Sequence, residues 1–371
     1  MVRQATETSA AAGAMPTAAG FRSFHKARRV PAQALEPVID PAGHAEDLSD
    51  VGAWSYTLTG SDRDELRAGV DAVRRNRIAI TAIGRDQFPL RGFAAILADV
   101  RRELQDGRGI VMLRNFPLDM DREAVAIAYL GMGSHLGRPI PQNKAGHLLG
   151  HVKDLGGDYA DPNTRGYMTR AEMRFHTDPC DYVGLLCLQK SKSGGASCIA
   201  SSVAVYNRML ERRPDLAQVL TEDFYRSRSG EVNPGEAPWF KQPIFSFTDG
   251  YFSCSGIGMA VEKAQGLPGV PPYTALQKEA VRVYKETVDA CALEIGFQPG
   301  DVQFLNNHVM LHTRRDYEDW PEPARKRHLL RLWLNDPEGR PIPPAQREGR
   351  MRGVSVSGVA LSAPLDVDAL E

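Results

Sequence analysis

The triplet His176-Thr177-Asp178 sets an imidazole and a carboxylate two residues apart. On a strand, residues i and i+2 share a face, so both groups converge on one point. With one distant histidine they would form a two-histidine, one-carboxylate ligand set, the kind that holds iron in non-haem Fe(II) oxygenases. Three ligands on one face of an octahedron leave three positions for a co-substrate and O2. Alone, the triplet is a weak signal. With nine histidines, about half an H-x-D match arises by chance, and a satisfied buried His–Asp pair would look the same. His44-Ala45-Glu46 has a related form but sits in an acidic, loop-like stretch without strand alternation.

Two further blocks add to it. Asn306-Asn307-His308-Val309-Met310-Leu311-His312 follows Gly300-Asp301-Val302-Gln303-Phe304, which reads as a turn into a strand. On a regular strand His308 and His312 share a face, so either is a candidate third ligand. Farther on, alternation through Arg327-His328-Leu329-Leu330-Arg331-Leu332-Trp333-Leu334 assigns Arg327, Leu329, Arg331 and Trp333 to one face. Two guanidiniums among apolar groups are costly unless each meets an anion. Their forked donors suit a carboxylate. The alternative is a pair of structural salt bridges to acids such as Asp316 or Glu318. Cys180 lies where a continuing strand would put it beside Asp178, and it reads as a small buried filler.

The elements that must position these groups change in texture along the chain. The first third is α-rich. Ser61 and Asp64 fit a capping box, followed by Leu66, Val70 and Val73 at helical spacing. Phe93, Ile96, Leu97, Val100 and Leu104 mark a second helix with Gly107 as its stop. A buried strand is predicted within 109–116 and another helix over 122–135. From about Phe175, short apolar runs alternate with turn-rich stretches. Strands are expected at 182–188, 243–247, 251–255, 302–306 and 328–334, and helices at 201–211 and 274–293. This pattern fits a distorted β-sandwich or barrel flanked by helices. No G-x-G-x-x-G or Walker A pattern is present, which argues against nucleotide-binding folds. The stretch 156–170 is loop-like, either a lid or a long surface connection.

Composition bounds the partners. Lys plus Arg number 45 against 46 Asp plus Glu, a net charge of -1. That balance argues against a nucleic-acid grip, which needs a strong basic excess. Apolar runs such as Val125–Met132 and Val183–Leu188 fall short of the roughly 18 residues a membrane helix requires. Five cysteines without a C-x-x-C pair suggest a reducing, cytoplasmic setting. The Ala/Thr/Ser-rich first residues read as a disordered tail, with a mitochondrial transit peptide as the alternative. Oligomeric state is left open, a homo-oligomer included.

Taken together, these blocks resemble the taurine dioxygenase (TauD/TfdA-like) family of Fe(II)/2-oxoglutarate oxygenases. The matching pieces are Phe175-His176-Thr177-Asp178, Ser193-Gly194-Gly195-Ala196-Ser197, Gly300-Asp301, Asn306-Asn307, Leu311-His312-Thr313-Arg314 and Arg327-His328-Leu329-Leu330-Arg331. The resemblance implies a double-stranded β-helix (a distorted, cupin-like jelly roll) with helices outside. It implies one oxygenase domain over 26–350, α-rich to about 108 and with its β-helix core at about 109–340, between a tail at 1–25 and another at 351–371. It implies His176, Asp178 and His312 as iron ligands. It favours His312 over His308, because the Leu-His-x-Arg wording and the fifteen-residue step to Arg327 match the family. Arg327 is then the partner of the distal carboxylate of 2-oxoglutarate, with the Ser197 hydroxyl beside it. Arg331 corresponds to the position facing the substrate or the inner co-substrate carboxylate. Gln142, Asn143 and His147 lie in a segment resembling the family's substrate side, and Tyr167 and Arg174 adjoin it.

The implied cofactors are Fe(II), with 2-oxoglutarate and O2 as co-substrates. The implied reaction couples decarboxylation of 2-oxoglutarate, giving succinate and CO2, to oxidation of an unactivated C–H bond in a small, anionic or amino-acid-like molecule. Asp178 disfavours halogenation, which replaces the carboxylate with a small residue. Hydroxylation is the expected outcome, while desaturation, cyclisation and C–N cleavage use the same metal site. Two alternatives stand beside this one. A metal-dependent hydrolase or isomerase would leave Arg327 without a role, and a catalytically dead binding module need not keep all three ligands together with Arg327.

Overall fold

The computed structural model describes residues 31–43, 45–157, 166–343, 346–347, 353–354 and 357–367. The expected tail at 1–25, His44 and residues 158–165 of the loop-like stretch lie outside the described residues. The fold is mixed α and β around a large sheet. Its strands run in the order Ser55–Thr57, Ile110–Arg114, Val302–Asn306, Tyr182–Gln189 and His328–Asn335. Arg138–Pro139 and Gly150–Val152 both pair along His328–Asn335. A three-stranded sheet consists of Leu293–Ile295, Ser197–Ser201 and Met310–Arg314.

Strand alternation divides the core. Val111 and Leu113, Phe304, and Leu330, Leu332 and Leu334 join one apolar cluster with helices Gly60–Arg75, Gly92–Gln105 and Arg122–Ser134. Ile110 and Met112, Leu305, and Leu329 and Trp333 join another, which includes Ile199 and Leu311 of the smaller sheet. The expected separation of Arg331 and Trp333 from Leu330, Leu332 and Leu334 therefore holds. It holds although a register shift separates His328 from Leu329.

Several local expectations change. The first long helix is capped by Thr59, whose hydroxyl accepts from the Asp62 amide while the Asp62 carboxylate accepts from the Thr59 amide. The box thus sits two residues before Ser61 and Asp64, because extended backbone at Thr59 and the Tyr56 hydroxyl on Asp62 (2.8 Å) fix the entry there. A hairpin not anticipated from spacing also forms: Asp223–Ser227 pairs with Trp239–Pro243. The expected strand at 243–247 belongs to two elements, Trp239–Pro243 and Phe245–Thr248. The region expected as a carboxyl-terminal tail returns to the body in its described part. There Val354 bridges Gln142, and Ser362 bridges His147.

Candidate metal centre

His176 and His312 meet through the smaller sheet. His312 lies in Met310–Arg314, opposite Ile199, and it forms an antiparallel bridge with His176 through backbone bonds of 3.0 Å in both directions. The two rings stand 4.4 Å apart, centroid to centroid. His176 makes only an isolated bridge, and Thr177 and Asp178 lie in irregular backbone, so the triplet is not the regular strand that alternation implied. Asp178 instead reaches the pair from a loop. Its amide donates to Asn307 Oδ1 (3.0 Å), and its Oδ2 accepts from Trp333 Nε1 (2.8 Å). Asp178 Oδ1 lies 4.0 Å from His176 Nε2, and Oδ2 lies 3.9 Å from His312 Nε2. The tertiary structure thus brings together three donor atoms from two chain regions, all within 4.8 Å of one another.

The environment keeps these groups in ligating form. His176 Nδ1 faces the Arg174 carbonyl at 2.8 Å. A carbonyl only accepts, so Nδ1 carries a proton and donates it, and Nε2 is the nitrogen that faces Asp178. His312 is buried, and burial together with the neighbouring His176 pushes its pKa down to about 3, leaving a neutral imidazole. Burial pushes the Asp178 carboxyl up, but Arg331, His312, His176 and the Trp333 N–H outweigh it and hold the pKa below the ordinary value. Among the described residues, His312 Nδ1 is a buried polar atom without a hydrogen-bond partner. A neutral imidazole at His312 beside an ionised carboxylate suits a divalent cation.

His308, the alternative third ligand, is elsewhere. Asn306 to Val309 form a turn between two different sheets rather than one continuous strand, and His308 Nε2 meets Asp181 Oδ1 at 2.8 Å. Cys180 does not continue a strand from Asp178 either: its thiol donates to the Tyr182 carbonyl and accepts from Asn307 Nδ2.

The two arginines differ in what they touch. Arg327 is buried, with its backbone N–H on Asp319 and its guanidinium near the Tyr317 ring. Its Nη1 has no acceptor among the described residues, and burial lowers its pKa. It packs against Gly195, where an added Cβ would sit 3.3 Å from Arg327 Nε. Gly194 and Gly195 both have positive φ, so this tight turn needs glycine twice. Ser197 follows on the edge of the same turn, buried and on the same strand face as Ile199, opposite His312. Neither Asp316 nor Glu318 pairs with the guanidinium: Glu318 holds Lys192 instead.

Arg331 lies closer to the triad. Its Nη1 is 3.6 Å from Asp178 Oδ2, and its guanidinium stacks on Tyr167 (4.7 Å) and Trp333 (4.8 Å). Gln142 is buried and committed to it: Oε1 accepts from Arg331 Nε at 2.8 Å, while Nε2 donates to the Arg331 and Leu148 carbonyls. Asn143 folds onto His147, whose Nδ1 is 3.1 Å away. Arg174, exposed, approaches Glu262 at 3.8 Å.

Some supporting groups had only faint signals. Trp333 was placed on the Arg331 face by alternation, but nothing predicted its bond to Asp178. Gly258 leaves room for His176, since an added Cβ would come within 2.8 Å of the His176 Cβ. Arg314, quoted only as wording after His312, donates to the Thr169 and Ala171 carbonyls and so anchors the approach to His176.

In this mixed fold two histidines and a carboxylate meet beside a buried arginine, Arg331. The family model described as taurine catabolism dioxygenase TauD, TfdA family matches residues 76–333, and the chain belongs to that family. It is 28% identical over 306 residues to FR-33289 synthase of Streptomyces rubellomurinus, covering 80% of this chain and 89% of that protein. It is 29% identical over 295 residues to a taurine hydroxylase-like protein of Stachybotrys chartarum, covering 76% of this chain and 75% of that one. Among solved structures, asparagine oxygenase with Fe(II), hydroxyasparagine and succinate aligns with TM-score 0.60 at 19% identity, over 82% of this chain and all 100% of that one. The non-heme iron oxygenase OrfP with Fe, succinate and hydroxy-arginine aligns with TM-score 0.57 at 16% identity, over 76% and 94%. Among the described residues, no helix is long and apolar enough to cross a membrane.

Proposed function

We propose that this chain is an Fe(II)- and 2-oxoglutarate-dependent dioxygenase that hydroxylates a C–H bond of an amino-acid-like small molecule. Iron with 2-oxoglutarate and O2 supplies the oxidant for that bond, and 2-oxoglutarate leaves as succinate and CO2. The observation that carries this reading is the convergence of His176, Asp178 and His312, with His312 held neutral and Asp178 held ionised. An amino-acid-like substrate is suggested by the hydroxyasparagine and hydroxy-arginine bound in the similar structures.

In this reading His176, Asp178 and His312 hold the iron. Trp333 and Asn307 orient Asp178, and the Arg174 carbonyl fixes the His176 tautomer. Arg327 takes the distal carboxylate of 2-oxoglutarate on its open Nη1, with the Ser197 hydroxyl beside it. Arg331, held by Gln142 and the Tyr167 ring, faces the substrate carboxylate or the inner carboxylate of 2-oxoglutarate. The two sheets are the walls of a double-stranded β-helix, with 26–350 as one domain. Five free, buried cysteines support a reducing, cytoplasmic setting.

The test is spectroscopic. Fe(II) followed by 2-oxoglutarate, added without oxygen to the purified apoprotein, is expected to give a metal-to-ligand charge-transfer band. A folded protein that gives none would overturn the proposal.

A further inference from the structure

Beyond residue 333, where the family match ends, the chain returns as a strap over the loop that carries Gln142. Three backbone bonds join strap and loop. Val354 N donates to the Pro141 carbonyl (2.9 Å), Ser362 N to the Gly146 carbonyl (3.0 Å), and Leu148 N to the Ser362 carbonyl (2.8 Å). These bonds fall on the peptide groups that Gln142 itself depends on. The Pro141 carbonyl and the Gln142 amide share one peptide plane, and that amide donates to the His147 carbonyl at 2.9 Å. Leu148 gives its N–H to the strap and accepts the Gln142 carboxamide on its carbonyl at 3.0 Å.

Glycine permits the close approach on both sides of the loop. A Cβ on Gly353 of the strap would lie 2.5 Å from the Pro141 oxygen, and one on Gly146 would lie 2.6 Å from the Ala360 oxygen. On the inner side, a Cβ on Gly150 would come within 2.5 Å of Gln142 Oε1. Gly150 pairs with Arg331 on the neighbouring strand, so the Gln142 carboxamide passes over it to accept from Arg331 Nε. With Nε taken, the guanidinium presents Nη1 toward Asp178 Oδ2 at 3.6 Å. Val359, Leu361 and Leu365 of the strap are exposed, so polar contacts set its course and not the burial of large apolar side chains.

We infer that the carboxyl-terminal strap, in its described residues 353–354 and 357–367, is a positioning element of the metal centre. It fixes the 141–148 loop so that Gln142 aims Arg331 at the bound iron and 2-oxoglutarate. Gln142 is the positioning residue, and Gly150 gives it room. The inference rests on the dioxygenase reading above.

The test is a double-mutant cycle on the full chain. Gln142→Met keeps the length of the side chain and removes the acceptor for Arg331 Nε. It is expected to raise the anaerobic Kd for 2-oxoglutarate, read from the charge-transfer band, about fivefold or more. Gly353→Val, which pushes the strap off Pro141, should raise that Kd about threefold in the parent chain and leave it nearly unchanged in the Gln142→Met chain. Its cost in melting temperature should be the same in both. An unchanged Kd in Gln142→Met overturns the inference. So does a strap variant that lowers melting temperature without moving Kd, or that moves Kd equally in both backgrounds. Should Gly353→Val fail to fold, Gly146→Ala, which meets the strap at Ala360, takes its place in the cycle with the same outcomes.

Hydrogen exchange in the metal-free protein separates this inference from the reading beneath it. The strap variant should speed exchange at the 141–148 amides and leave helix Gly60–Arg75 unchanged; no change at 141–148 overturns the strap's hold on the loop. A parent chain that gives no band fails the dioxygenase reading, whereas a parent chain with the band and variants with its Kd fail the strap alone.

Discussion

Among the described residues, two places gather two histidines and an aspartate within 4.8 Å: His176, Asp178 and His312, and His151, His328 and Asp366. Their residue types are the same, and their other partners are not. Asp178 accepts one indole N–H and has a single guanidinium at 3.6 Å. Asp366 already neutralises Lys153 and Arg122 through its two oxygens. In the second cluster His151 Nδ1 and His328 Nε2 face each other at 2.8 Å, and the Pro364 carbonyl occupies His151 Nε2. One imidazole therefore donates to the other. The proposed iron centre has donor atoms left over, whereas the other cluster uses its atoms on itself. Proximity of ligand types is not enough; what else each atom bonds decides.

The largest expected effect separates the two clusters. Asp178→Ala should abolish the charge-transfer band and lower succinate release by about a thousandfold or more, the scale of losing a metal-dependent oxidant. Asp366→Ala should bind Fe(II) within about twofold of the parent chain, since removing it takes no iron ligand away. Iron stoichiometry after anaerobic titration checks both, and equal losses would erase the distinction.

Next comes the open guanidinium. Arg327→Gln removes a charged partner for a carboxylate, a loss of about 3 kcal/mol, or roughly a hundredfold in the apparent KM for 2-oxoglutarate. Steady-state kinetics at saturating substrate measure it. Trp333→Phe keeps the ring but deletes one hydrogen bond to Asp178, and about a tenfold weaker Fe(II) affinity should follow in the same titration.

The second cluster answers to pH instead of metal. Burial and the neighbouring His151 push the His328 pKa down to about 4, below its ordinary 6.5. In that window the unfolded chain binds a proton that the folded chain refuses, so this site's contribution to stability rises with pH between about 4 and 6.5 and is lost on acidification. Apoprotein melting temperature should therefore fall as pH is lowered from about 6.5 to about 4, and His328→Gln should flatten the slope by close to one proton. A parallel slope in that variant would remove His328 from the account. The smallest effect belongs to Arg122→Ala. Its side chain is 73% exposed, so its pair with Asp366 should contribute less than about 1 kcal/mol, with a shift in melting temperature of about 2 °C or less.

How much of this was legible varied with sequence distance. Alternation along His328–Asn335 put Arg331 and Trp333 on one face, and the structure has both at Asp178. The helices and most strands followed from spacing, because their periods are local. The capping box slid by two residues, since Thr59 and Asp62 compete equally well with Ser61 and Asp64 until Tyr56 takes Asp62. His308 and His312 were equivalent on a regular strand. The turn that sends 302–306 and 310–314 into different sheets broke that equivalence and gave His308 to Asp181. Nothing local indicated that the carboxyl-terminal segment would return, because its bonds join residues more than two hundred positions apart.

The order of the chemistry-bearing blocks, their residue types and the family to which they belong were determined by the sequence by itself, since they depend only on identity and spacing. Which histidine reaches Asp178, which arginine keeps an open donor and which His–His–Asp cluster is already satisfied were decided only by the tertiary structure. Those outcomes depend on long-range pairing, and on which polar atoms find partners once water is excluded.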